Sequence, residues 1–111
     1  MLNFELLNQY MDNDQEIITA VLLTYMEDYE NALQDLNYFN KEHDWQGLFL
    51  LSHSLKGILA GFGEKIAVNA LENVENKTRD GLAPNHGDIT IINTELDLIH
   101  KQIRRYLIEV T

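Results

Sequence analysis

The chain has no cysteine, which removes a disulfide framework, a thiolate nucleophile and a zinc ribbon from consideration. Proline occurs once, at Pro84, and β-branched residues nowhere alternate with polar ones over a useful length, so strands have little support. Basic residues are scarce. Eight Lys and Arg stand against eighteen Asp and Glu, giving a formal net charge of −10 and a pI near 4.6. Such a field repels nucleic acid and anionic membrane surfaces, which leaves proteins as the expected partners. No apolar run approaches the roughly 20 residues of a bilayer span. The opening MLNFELLNQYMDND is acidic where a secretory signal is basic. These features predict a soluble, cytoplasmic chain. Its 111 residues suit one domain, too short for a nucleotide-binding catalytic domain with anything beside it.

What is present is helical periodicity. A short helix is predicted from Phe4 to Met11, ended by the Asp-Asn-Asp cluster at 12–14, which also offers an N-cap to the next. From Asp14 to about Asn40, Ile17, Val21, Leu22, Tyr25, Tyr29, Leu33 and Leu36 recur at three- and four-residue steps and predict one long amphipathic helix. A third helix starts at Asp44 and runs past His53. A fourth covers about Glu64 to Arg79 with Ile66, Ala70, Leu71 and Val74 inward. The segment DGLAPNHGD interrupts the pattern, and a last helix from about Asp88 to Ile108 carries Ile89, Ile92, Leu96, Ile99, Ile103 and Leu107. Four long helices with short connections predict an all-α fold, an antiparallel four-helix bundle with an additional short N-terminal helix.

Residues 52 to 63, SHSLKGILAGFG, hold one histidine and three glycines at 57, 61 and 63. Each glycine inside a helix costs about 0.5–1 kcal/mol relative to alanine, so the missing side chains suggest space kept open around His53. At about 100° per residue, Trp45, Leu48, Leu51, Leu55, Leu59 and Phe62 gather on one side of this helix as core. His53 falls nearly opposite, beside Gln46, Phe49, Leu50, Lys56, Gly57 and Ala60. An accessible imidazole among apolar residues and an unshielding Gly57 has the composition of a docking surface.

Asp44-Trp45, then His53-Ser54-Leu55-Lys56-Gly57, then Gly63 resemble the histidine-containing phosphotransfer (HPt) domain family, and the helix order and lengths extend the likeness over almost the whole chain. The resemblance implies a histidine that accepts a phosphoryl group from an aspartyl phosphate on a receiver domain and passes it to another, in a domain without kinase activity of its own. On that reading His53 is the acceptor, since a neutral imidazole carries a nucleophilic nitrogen at physiological pH. Lys56, one turn on, is placed to offset the charge of the phosphoryl group. The resemblance further implies that Glu75 takes the position where similar domains have a Glu or Gln bonded to the histidine's other ring nitrogen. Gln46, Phe49, Leu50, Gly57 and Ala60 are the expected docking residues. Magnesium and catalytic acids are expected from the receiver, so neither a cofactor nor a metal site is assigned here, and a monomer keeps the docking face open.

A histidine-kinase dimerisation domain is disfavoured because Ser54 follows the histidine where that family has an acid, and no proline comes soon after. A carboxylate-bridged metal bundle wants paired E-x-x-H motifs, and the nearest candidates are Asp97-x-x-His100 and Glu72-x-x-Glu75. His43, His86 and His100 are expected to be structural or solvated. The alternative left standing is a helical interaction module that binds receiver or kinase domains without phosphotransfer.

Overall fold

Helix starts are set by side chains that satisfy the first free amides. In the computed structural model, which describes residues 2–110, the elements are α1 (Phe4–Tyr10), α2 (Gln15–Tyr29), α3 (Ala32–Lys41), α4 (Trp45–Gly61), α5 (Lys65–Arg79) and α6 (His86–Val110). Asn3 caps α1 through Leu6 N, Asp14 caps α2 through Glu16 N and Ile17 N, and Asp44 caps α4 through Gly47 N. No strand occurs among the described residues, and none of their helices is long and apolar enough to cross a membrane.

The single long helix expected from Asp14 to Asn40 is two. The Glu30 amide still bonds to Met26 O at 3.0 Å, and regular bonding resumes from Asp35 N to Asn31 O. Between them lies Asn31, a poor helix former whose side chain makes no capping bond. The buried stripe nevertheless keeps helical spacing across the break, through Leu22, Tyr25 and Met26 to Ala32 and Leu36, so both pieces face the same core. Two expected core residues point outward. Ile17 and Ile66 are exposed while Ile18 and Ala67 are buried in their place, because both lie in a first helical turn at the edge of the stripe that the later residues define.

The helices pack into an elongated helical bundle of 42 × 21 × 19 Å. α4 packs most extensively on α5, followed by α5 on α6, α3 on α4 and α2 on α6. The shared core includes Leu7, Leu22, Leu48, Leu55, Leu71, Leu96 and Ile99.

Gly63 has a role different from the one expected. Its φ of +75° ends α4: Gly63 N bonds back to Ala60 O at 3.0 Å and Glu64 N to Leu59 O at 3.1 Å, the paired bonds of a left-handed helix stop. A Cβ there would collide with Leu6 of α1, so the residue seats the N-terminal helix. Gly81 ends α5 in the same way, with φ +71° but open space around it. Gly63→Ala is therefore expected to lower stability by about 1–2 kcal/mol for the left-handed backbone, with a further loss from displacing Leu6. Gly81→Ala carries the backbone cost alone. Thermal denaturation of both variants checks this, and equal losses would mean that α1 adjusts freely.

One polar pair is built into the core. Tyr25 and His100 are both buried, and the Tyr25 hydroxyl lies 2.8 Å from His100 Nε2. Burial, with Tyr29 beside it, pushes the phenol above its ordinary value. Burial and the nearby Arg104 hold the imidazole below the ordinary 6.5, against the pull of Asp97. The neutral phenol then donates to a neutral ring. The unfolded chain takes up the histidine proton more readily than the folded one, so this contribution is full above about pH 6.5 and drains as pH falls below it, levelling off once the folded imidazole also protonates. Denaturant unfolding at about pH 7.5 and about pH 5.5 should show the loss, and a His100→Gln variant should show a flatter limb. An unchanged slope in that variant would assign the limb to other groups.

Candidate functional site

His53 projects from the middle of α4, its side chain 64% exposed, and its Nδ1 lies 2.6 Å from Oε1 of Glu75 on α5. Glu75 sits on the buried stripe of α5 with Leu71, Val74 and Thr78 and is only 1% exposed. A buried carboxylate demands partners, and this one has three. Lys56 Nζ stands 2.6 Å from Oε2, and Arg79 NH2 stands 3.3 Å from Oε1. Burial pushes the Glu75 carboxyl up, but hydrogen bonds and charge from Lys56 and His53 together outweigh it and hold the group below its ordinary value. Glu75 is thus an anion at neutral pH.

An anionic carboxylate only accepts hydrogen bonds, so Nδ1 of the neutral imidazole carries the proton and donates it. The lone pair is left on Nε2. One turn further on, nothing would lie within 4 Å of a Cβ on Gly57, so the approach past α4 is open. Space is likewise free at Gly61, whereas Gly63 stops the helix.

Of the expected docking residues, Gln46, Leu50, Gly57 and Ala60 are exposed. Phe49 is half-buried. Its ring stacks near His53 with centroids 6.2 Å apart, and the Arg79 guanidinium lies over it at 5.5 Å, so Phe49 supports the imidazole as well as bordering the surface. Lys56 is half-buried and engaged with Glu75, a partner that its spacing from His53 does not reveal.

Arg79 is the residue that sequence reasoning missed. Its signal was legible: Glu75 and Arg79 stand four apart on one helix, the spacing of a facing ion pair. With it, two cations hold the Glu75 carboxylate beside His53, on a chain of net charge −10. The metal-bundle candidates are not brought together. Asp97 is exposed and paired with Lys101 at 2.9 Å, whereas His100 turns into the core toward Tyr25. Glu72 is exposed, and Glu75 is taken up by the three partners named above. Among the described residues no group of three or more His, Cys, Asp or Glu is arranged to hold a metal ion. Comparison with protein-family models, curated proteins and solved structures gives no match for this chain.

Proposed function

We propose that this chain is a phosphoryl carrier of the HPt type, a relay protein that accepts a phosphoryl group on His53 from a receiver-domain aspartyl phosphate and delivers it to another receiver. The observation that carries the reading is an exposed imidazole whose Nδ1 is held by a buried, anionic Glu75. In the forward step the Nε2 lone pair attacks phosphorus, the P–N bond forms, and the P–O electron pair leaves with the receiver's aspartate. In the return step the P–N pair goes back to Nε2 and regenerates the neutral Nδ1–H ring. Glu75 keeps the proton on Nδ1 throughout, so the leaving group is a neutral imidazole. As negative charge arrives, Lys56 and Arg79 turn from Glu75 toward the phosphoryl oxygens.

The proposal includes the antiparallel four-helix arrangement with α1 as the added element, in which α2 and α3, two helices sharing one core stripe, together take the place of a single helix beside α4, α5 and α6. It also includes the cytoplasm as location and a monomer as the working form. The receiver supplies magnesium and the remaining acids, so the chain is a carrier without kinase activity.

Mixing the protein with phosphorylated receiver domains and following intact mass tests this directly. One acid-labile, alkali-stable phosphoryl adduct is expected. Binding to receivers with no adduct from any of a broad panel would favour the interaction-module reading instead.

A further inference from the structure

The outer face of α4 lies between two flanks, with the cations Lys56 and Arg79 standing toward one of them. On one flank stands α5, with Glu75 and Arg79 reaching His53 and Lys56. On the other stand α2 and α3. Ile58 shares a shallow apolar groove with Ala20, Val21 and Thr24 of α2, and the Phe39 ring of α3 lies 3.0 Å from where a Cβ on Gly47 would be. Between the flanks the surface is low: Gly57 and Gly61 have open space above them, and Leu50 is 56% exposed.

Helical spacing carries the α2 bank onward from Ala20, Val21 and Thr24 to Glu27 and Asp28, both exposed. Because α3 follows α2 and packs on α4 through Phe39 near Gly47, these two acids lie nearer the level of His53 than Thr24 does. They belong to a wider asymmetry. Ten of the eighteen acidic residues, but only Lys41 among the cations, precede residue 51.

Resting on the phosphoryl-carrier reading above, we propose that this trough selects its partner by charge at both ends: the occupant is a receiver domain that lays an apolar helix edged with lysine or arginine along α2. The receiver's own acidic pocket, which must reach His53, then sits over Lys56 and Arg79, while its basic edge meets Glu27 and Asp28. Two unlike ends fix the direction of docking as well as its sign. A second copy of this chain would bring another net charge of −10 to the acidic flank and is repelled.

The test compares a Glu27→Lys, Asp28→Lys double variant with wild type in two reactions. The first is phosphoryl transfer from a receiver that labels the wild type, at about 50 mM and about 500 mM salt. The second is labelling by phosphoramidate, a small donor that needs no docking surface. A Glu5→Lys, Glu109→Lys variant makes the same change in net charge away from the trough. The double variant should take phosphate from the receiver about tenfold more slowly at low salt, with the gap closing at high salt. Phosphoramidate labelling, and receiver transfer to the control variant, should match wild type. Equal or faster receiver transfer to the double variant, with phosphoramidate labelling intact, overturns the docking inference and leaves the carrier reading standing. Equal slowing in the control variant overturns it too, by assigning the effect to net charge. Failure of both donors to label the wild type overturns the carrier reading and this inference with it.

Discussion

Replacing His53 with Gln is expected to abolish phosphoryl acceptance while leaving the fold as it is. The imidazole side chain is 64% exposed, and surface substitutions of this kind usually change stability by no more than about 0.5 kcal/mol. Glutamine also keeps an amide that can donate to Glu75. What it cannot supply is a nucleophilic nitrogen, so the loss should be complete rather than partial. Intact mass after exposure to a phosphorylated receiver, with thermal denaturation alongside, reads both halves. Uptake at the wild-type rate would move the acceptor to another histidine, with His43 and His86 the exposed candidates.

The second large effect is expected at Glu75. Removing a partner that orients a functional histidine typically costs about 10- to 100-fold. Glu75→Ala should slow transfer within that range, since it frees the ring to place its proton on Nε2 and releases Lys56 and Arg79 from their shared anchor. Glu75→Gln retains an acceptor for Nδ1–H and should recover most of the rate. Histidine nitrogen chemical shifts provide a readout that a purely structural role would not move: wild type and the Gln variant should hold the proton on Nδ1, and the Ala variant should not. If the Ala variant transferred at the wild-type rate with the same tautomer, Glu75 would be a packing residue and no more.

Much of this site is legible in the sequence. The wheel through α4 separates His53 from the Leu48, Leu55 and Leu59 core because 17 helical residues average out local irregularity. Asp44 and the glycines at 63 and 81 mark helix ends by chemistry that sequence carries on its face. Gly63 was nonetheless given the wrong task, because its left-handed φ and its contact with Leu6 depend on where α1 returns over the bundle. The break at Asn31 is hidden for the opposite reason: the apolar stripe stays in phase across it, and a pattern of side chains does not report an interruption of the backbone bonding.

The charged cluster shows the same limit. Glu75 lies in phase with Leu71 and Thr78, a position that signals burial, but only the packed structure shows that Lys56 and Arg79 both turn to it. Sequence spacing brought Lys56 to His53 and said nothing of its present partner.

The measurement that bears most directly on the central claim is nitrogen and phosphorus NMR of the protein after reaction with a phosphorylated receiver. The geometry predicts phosphorus coupled to Nε2 of His53, with Nδ1 protonated and hydrogen-bonded to Glu75. Phosphate on Nδ1, or on a residue other than His53, would contradict it.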